Sequence, residues 1–448
     1  MILLMTTAPP EDSPWGLGRR YPPLGLAYVA GSLEHAGYEV QIIDNYLLKK
    51  SINEIKQEVK RLNPEIVGMT CGSITYRKCI ETAKAVKQVL PNCKVVVGGW
   101  HPSYLPESML KHPEINYVVI GEGEQAIVEL TNAIVSGKEK TEVSQISGIA
   151  YRKGTQIVKN PQTFIQDLDT VPFPARHLLP MDLYMRKMEY LPVEPVDNMN
   201  VIRGCPYNCA FCETKKIWTS KCRAFSPPRV VAELNHMIEK YGTKGIYFVG
   251  DNFTINKKRT IELCKEIKKE KLDLQWVCDT RVDLVSREML QEMKSAGCKT
   301  IWFGVESGAT HILKRINKQI TREQAVDAFR LCDKVGIRTA SSFMIGLPGE
   351  TVADMHTTYK FARKLDPDYA RFHIFIGYPG SSMYDEIMAN GWYERVEDFV
   401  TYVKTDQFDF ELVKNLQREF HKNFNRSPHR ILKTIRRDGF LSVLKRNI

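Results

Sequence analysis

Asn200-Val-Ile-Arg-Gly204-Cys205-Pro206-Tyr-Asn-Cys209-Ala-Phe211-Cys212 is the stretch from which the rest of the chain is read. Asn200–Arg203 has the look of a short strand, and Gly204 and Pro206 open a loop directly behind it. Three of the eleven cysteines fall in the eight residues 205–212, where even spacing would put about 0.2. A disulfide framework does not suit a chain of this size in a reducing compartment. Zinc takes a fourth Cys or His with its own paired spacing, and no second CxxC occurs. Three thiolates in one short loop suit a cuboidal iron–sulfur cluster, in which cysteines hold three irons and the fourth stays open to another ligand.

Outward from this loop the chain alternates strands and helices on both sides. Downstream, Gly245–Val249, Leu274–Asp279, Thr300–Val305, Thr339–Ile345 and Tyr369–Ile376 read as further strands. Helical patterns such as Val230–Tyr241, Arg259–Lys269 and Arg287–Ala296 lie between them. Six βα units are too few for a closed eight-stranded barrel and fit a partial one, with chemistry at the carboxyl ends of the strands. Upstream, Met1–Thr7, Val40–Asp44, Ile66–Met69, Val95–Val97 and Tyr117–Ile120 are apolar runs of the kind buried parallel strands show. Interleaved helical patterns at 24–36, 52–62, 76–90 and 125–135 predict a doubly wound α/β domain. Its strand ends carry glycine-rich loops, Cys71-Gly-Ser73, Gly98-Gly99-Trp-His101-Pro102-Ser and Gly121-Glu122-Gly123-Glu124, which invite close approach of backbone to something bulky. A hairpin is expected at Gly148–Tyr151 and Gln156–Val158, and six prolines between 161 and 195 mark a crossing segment. The expected organisation is an α/β domain over 1–140, hairpin and linker over 141–197, a partial barrel over 198–385 and a helical basic region over 386–448.

Composition narrows the class. The chain has 448 residues, 43% hydrophobic and 26% charged, enough to bury two or three cores without disulfides. No apolar run reaches the roughly 18 residues of a membrane span. Met1-Ile-Leu-Leu-Met-Thr-Thr-Ala is too short and lacks the basic start of a secretory signal, so a cytoplasmic location is expected. The net charge of +11 is not a nucleic-acid footprint. From Lys414 to the end stand ten Lys/Arg against two Asp/Glu, while the other residues carry 53 basic and 50 acidic side chains. The tail from His429 to Arg446 alternates apolar and basic residues at near-helical spacing. It reads as a packed helix with a solvated basic face or as a helix lying on an anionic membrane surface. No nucleic-acid partner is expected.

Cys205-x-x-x-Cys209-x-Phe211-Cys212 matches the CxxxCxΦC signature of the radical S-adenosylmethionine (SAM) enzymes, which the downstream half resembles. The resemblance implies that Cys205, Cys209 and Cys212 hold a [4Fe-4S] cluster whose open iron binds SAM, and that cleavage of SAM yields a 5′-deoxyadenosyl radical. It also implies SAM contacts by Phe211, by Arg281, by Glu306-Ser307 at the fourth strand end, and by Gly346 and Pro348 in Met344-Ile-Gly-Leu-Pro-Gly-Glu350. The family's Gly-Gly-Glu at the second strand is replaced here by Val249-Gly250-Asp251-Asn-Phe253, with Gly250 and Asp251 in its place. The α/β domain ahead of the barrel resembles the cobalamin-binding subfamily, on Tyr21-Pro-Pro-Leu-Gly-Leu-Ala, Gly98-Gly-x-His-Pro102 and Gly121-Glu-Gly-Glu124. Cobalamin contacts are implied for Ser73, Gly98, Gly99, His101, Pro102, Gly121, Glu122 and Gly123. The Asp-x-His-x-x-Gly motif that supplies an axial histidine in many cobalamin domains is absent. The remaining cysteines read as core residues, with Cys222 in a loop near the cluster motif.

The function implied is radical SAM chemistry with cobalamin, a C-methyltransferase acting on an unactivated carbon. Two alternatives stay open: a cyclase or carbon–carbon coupling enzyme on a tetrapyrrole or lipid, and a non-catalytic iron–sulfur protein. The implied partners are a small-molecule or lipid substrate, an external electron donor and, through the basic tail, a membrane surface. No residue acting on the substrate itself is named by the sequence.

Overall fold

The computed structural model describes residues 1–8 and 21–438. These residues form two compact units. One comprises Met1–Pro206, Glu213–Val249 and Asp398–Val400; the other comprises Tyr207–Cys212, Gly250–Glu397 and the residues from Thr401 onward.

The first unit is built on a seven-stranded sheet of β1 (Ile2–Thr6), β2 (Val40–Asp44), β3 (Ile66–Thr70), β4 (Lys94–Gly98), β5 (Tyr117–Val119), β6 (Ile149–Lys153) and β7 (Gln156–Lys159), in the order β2-β1-β3-β4-β5-β6-β7. The first five strands run parallel and the expected hairpin, β6–β7, continues the sheet antiparallel. Both faces are covered, which is why these strands read as unbroken apolar runs: Leu3 and Met5 enter one core, Ile2 and Leu4 the other. Helix Ile52–Leu62 starts at a capping box in which Ser51 and Glu54 answer each other's backbone N–H. The chain order reverses between β1 and β3, the place where open α/β sheets bind ligands.

The same unit holds β8 (Val196–Asn200) and the ribbon of β9 (Ile202–Arg203) and β10 (Arg223–Ala224), together with β11 (Gly245–Val249), which pairs in parallel with β8. Sequence reading starts this set at Asn200; the structure starts it at Val196. The polar Val-Asp-Asn-Met-Asn disguised a buried strand. Asp197 is fully buried and compensated by a bidentate Arg186 (2.9 and 2.6 Å) and the Thr243 hydroxyl (2.5 Å).

In the second unit β12 (Gln275–Thr280), β13 (Cys298–Glu306), β14 (Arg338–Ile345) and β15 (Tyr369–Ile374) lie parallel in chain order. One face of this sheet is sealed by helices: Phe303 packs on Phe329, and Phe343, Phe372, Tyr359 and Phe420 form one aromatic layer. The edge of β15 is covered too. The Phe372 N–H donates to His421 Nε2 (3.3 Å) and its carbonyl accepts from Gln417 Nε2 (3.0 Å), both side chains on helix Phe410–Asn425. The region after 386, read from sequence as helical, holds two strands, Tyr393–Glu397 and Val400–Val403, between helix Ser382–Asn390 and its later helices. The β-branched and aromatic run Val400-Thr-Tyr-Val403 accounts for the second strand.

Of the basic tail, Pro428–Asp438 is a helix and 439–448 lie outside the described residues. His429 (3.1 Å), Arg430 (3.0 Å) and Lys433 (2.8 Å) all reach the carboxylate of Asp366. Arg430 is buried. These are the contacts of a packed helix, and three of the tail's basic groups are accounted for without a membrane surface. Among the described residues no helix is long and apolar enough to cross a membrane.

Candidate functional site

The cysteine loop differs from the rest of the chain's sulfur. Cys71, Cys79, Cys93, Cys264, Cys278, Cys298 and Cys332 are buried, whereas Cys205 and Cys209 are half-buried and Cys212 is exposed. Burial raises the thiols of Cys264, Cys278 and Cys332 well above their ordinary range, as suits core residues, and it raises that of Cys209 as well, to about 11. Cys222 is half-buried, with its thiol 3.2 Å from the Gly204 carbonyl. Among the described residues no group of His, Cys, Asp and Glu converges as a single-ion site would require.

In the second unit, residues 207–212 are pinned by backbone and by one arginine. Ala210 N–H donates to the Ile316 carbonyl (2.9 Å), Asn317 Nδ2 to the Asn208 carbonyl (2.7 Å), and Met383 N–H to the Ala210 carbonyl (3.0 Å). Arg281, at the end of β12, lies over the Tyr207 ring with its guanidinium carbon 3.6 Å from the centroid. Its Nε and Nη2 grip Asp283 (2.9 and 3.0 Å) and Nη2 reaches the Gln319 carbonyl (3.3 Å). Its Nη1 is buried without a hydrogen-bond partner, which leaves one donor of the guanidinium unspent.

Glu306 closes β13 in the left-handed region (φ 69°), a position that non-glycine residues enter at a cost. Its carboxylate is buried and bonded to Lys318 Nζ at 2.8 Å. Lys318 lies 5.9 Å from the Phe211 ring centroid. Gly304 makes room for this pair: a Cβ there would stand 2.4 Å from Glu306 Oε1 and 2.9 Å from Lys318 Nζ. Sequence reading missed Lys318, because a lysine twelve residues beyond its partner carries no local signal. Ser307 is turned inward, its hydroxyl shared with Thr358 (3.1 Å) and the Ala309 N–H (3.1 Å). Gly346 (φ 81°) and Pro348 belong to a turn held by Glu350, whose carboxylate accepts the Gly346 (2.7 Å) and Leu347 (3.0 Å) N–H groups. Burial pushes the Glu350 carboxyl up to about 8. Gly250 and Asp251 are half-buried in the bend after residue 249.

The first unit contains a cavity of about 390 Å³ at the carboxyl ends of its parallel strands, walled by Thr6 and Thr7 at the end of β1, Thr70 and Gly72 at the end of β3, and the segments at 98–103 and 121–124. Gly98, Gly99, Gly121, Glu122 and Gly123 line it; Ser73, His101 and Pro102 do not. A Cβ added at Gly25 or Gly72 would meet nothing within 4 Å, so both face open space. Gly99 (φ 105°) has no such freedom: a Cβ there would lie 2.8 Å from the Cys71 carbonyl. Thr7 Oγ1 is buried at the wall without a partner. Among the described lining residues there is no histidine.

His101 is a buried turn residue, with Nδ1 3.1 Å from Ser73 Oγ and Nε2 2.9 Å from Ser108 Oγ. Burial brings its ring down to about 4. Between the ordinary value near 6.5 and 4 the unfolded chain takes up a proton that the folded ring refuses, so stability falls as the pH drops through that window. Wild type should lose on the order of 2 kcal/mol more than His101→Gln between pH 7 and 4.5, read from urea midpoints; parallel losses would contradict this.

Beneath the cavity lies a buried charge cluster. Glu122 takes Arg203 Nη1 (3.1 Å), Arg223 Nη1 (2.8 Å) and the Ile165 N–H (2.9 Å), and Glu124 takes Arg203 Nη2 (2.5 Å). All four side chains are at most 7% exposed. Arg203 also lies over the Trp218 ring (5.0 Å) and Arg223 bonds the Trp218 carbonyl (3.1 Å), which fixes Trp218 in the cavity wall.

Comparison with known proteins assigns a family to each half of the chain. Residues 199–362 match the Radical SAM superfamily and residues 17–131 the B12 binding domain. An uncharacterized methyltransferase of Pyrococcus horikoshii is 35% identical over 100% of this chain and 97% of its own length. The chain belongs to the cobalamin-dependent radical SAM methyltransferase family. Family members need not be named for methyl transfer: an anaerobic magnesium-protoporphyrin IX monomethyl ester cyclase of Rubrivivax gelatinosus is 31% identical over 82% of this chain and 66% of its own. In fold, the radical SAM methyltransferase TsrM from Kitasatospora setae, solved with cobalamin and a [4Fe-4S] cluster, superposes with a TM-score of 0.73 at 19% identity, covering 88% of this chain and 78% of that one.

Proposed function

We propose that this chain binds a [4Fe-4S] cluster, SAM and cobalamin and transfers a methyl group to an unactivated carbon of a small molecule, using an external one-electron donor. Full-length identity to a chain named as a methyltransferase carries the reading. The cluster with SAM supplies a carbon radical able to take hydrogen from such a carbon, and the corrin supplies the methyl group. Cys205, Cys209 and Cys212 hold the cluster. Arg281 keeps Tyr207 and hence the loop in place, and its unpartnered Nη1 is suited to the SAM carboxylate. Glu306, oriented by Lys318, is suited to the SAM ammonium beside Phe211. The cavity of the first unit holds the corrin by backbone at Gly72, Gly99 and Gly121 and by hydroxyls such as that of Thr7, without a histidine ligand from its lining.

The test is anaerobic reconstitution followed by reduction with SAM labelled in its methyl group. Methyl transfer predicts both S-adenosylhomocysteine and 5′-deoxyadenosine. Deoxyadenosine with no S-adenosylhomocysteine would replace this reading with oxidative ring closure, which the 31% identity to a cyclase favours next. Neither product would remove both.

A further inference from the structure

The turn after helix Thr310–Arg315 lies against residues 208–210 of the cysteine loop, and its geometry is more exacting than a mere connection requires. The helix ends in a Schellman motif. Lys318 N–H donates to the Leu313 carbonyl (3.0 Å) and Asn317 N–H to the Lys314 carbonyl (3.0 Å), with Asn317 in the left-handed region (φ 52°). Gln319 is left-handed as well (φ 56°), so two non-glycine residues flank Lys318 in a conformation entered at a cost. Each residue of the turn then holds a group of the site. The Ile316 carbonyl accepts the Ala210 N–H (2.9 Å), Asn317 Nδ2 donates to the Asn208 carbonyl (2.7 Å), and the Gln319 carbonyl accepts Arg281 Nη2 (3.3 Å). Lys318, between them, sends its ammonium inward to Glu306 (2.8 Å), and both side chains are at most 10% exposed. Of the fixed charges acting on the Cys209 sulfur, Lys318 comes first, ahead of Arg281 and Glu306. The neighbours of Lys318 already tie the turn down through backbone and amide groups, so a buried ion pair, costly to desolvate, is not needed for that.

We infer that residues 316–319 belong to the cluster site and that the Lys318–Glu306 pair sets the reduction potential of the cluster held by Cys205, Cys209 and Cys212. The potential of such a cluster follows the charge and solvent around it, and a unit charge acts far more strongly in a site poor in water than in bulk. Reduction adds one electron from the external donor to the cluster and makes or breaks no bond in these side chains. The Lys318 ammonium favours that electron and the Glu306 carboxylate opposes it. Together they nearly cancel, so removing either one moves the potential and removing both restores it. The inference rests on the cluster assignment of the proposed function and is independent of methyl transfer.

The experiment is a redox titration of the reconstituted full chain without SAM, followed by electron paramagnetic resonance, with iron counted per chain. Lys318→Gln should lower the midpoint and Glu306→Gln should raise it. Each shift should be about tenfold in the ratio of reduced to oxidised cluster at a fixed applied potential, which for one electron is about 59 mV. The variant carrying both substitutions should fall between the two, and Lys318→Arg, which keeps the charge, should stay near wild type. Lys314→Gln removes the same charge from an exposed position on the preceding helix and should leave the midpoint in place. If Lys318→Gln fails to fold, Glu306→Gln is read against the double variant, which buries no lone charge, and should lie about tenfold above it. Single variants that stay with Lys314→Gln, or that move in the same direction, overturn the inference. A wild type that takes up no iron and shows no reduced-cluster signal removes the cluster assignment and this inference with it, whereas unmoved midpoints in an iron-loaded chain remove this inference alone.

Discussion

Cys209→Ser should leave the chain folded and abolish reductive cleavage of SAM, a loss on the order of a thousandfold or more in 5′-deoxyadenosine formed under a strong reductant. The motif offers three thiolates and no fourth, so removing one leaves two ligands for three irons. Folding should survive because residues 207–212 are held by backbone contacts to Ile316, Asn317 and Met383 and by Arg281 on Tyr207. None of these uses the sulfur. Iron per chain should fall with activity, while Cys222→Ser, beside the same motif, keeps its iron. Retention of iron and activity in Cys209→Ser would contradict the ligand assignment.

Glu122→Ala should destabilise the first unit by about 3–5 kcal/mol, measured as a drop in denaturant midpoint at unchanged slope. The carboxylate is nearly inaccessible and is shared by Arg203 and Arg223. Its loss leaves two guanidinium groups desolvated, with Arg203 still on Glu124 but Arg223 with no carboxylate, on two backbone carbonyls and the Phe164 ring. Those arginines also hold Trp218 in the cavity wall, so corrin retention should weaken with stability. A change below about 1 kcal/mol would mean that water reaches the cluster.

The cysteine motif was legible because its three cysteines are neighbours in sequence, and the strand ends around it because apolar runs bounded by glycine have few other meanings. The five parallel strands of the first unit were readable for the same reason: both faces are buried, so polarity does not interrupt them. What stayed hidden depends on pairs remote in sequence. Glu122 reads as part of a glycine-rich ligand loop, yet its carboxylate serves Arg203 and Arg223, some eighty and a hundred residues on. His101 sits in a loop that lines the cavity, but its ring turns back into Ser73 and Ser108. Lys318 has no motif of its own. β8 was obscured because a buried Asp197 looks like a loop residue until Arg186 and Thr243 are seen around it.

The side-chain cover over the edge of β15 has a consequence for how this protein behaves in a crowd. An unpaired edge strand is a template on which another chain can add a strand, the first step of many aggregates. At Phe372 the hydrogen-bonding valences on that edge are spent on His421 and Gln417 of the helix alongside. An incoming strand would have to peel that helix away before it found a partner, so helix Phe410–Asn425 acts as a guard on the sheet against self-association.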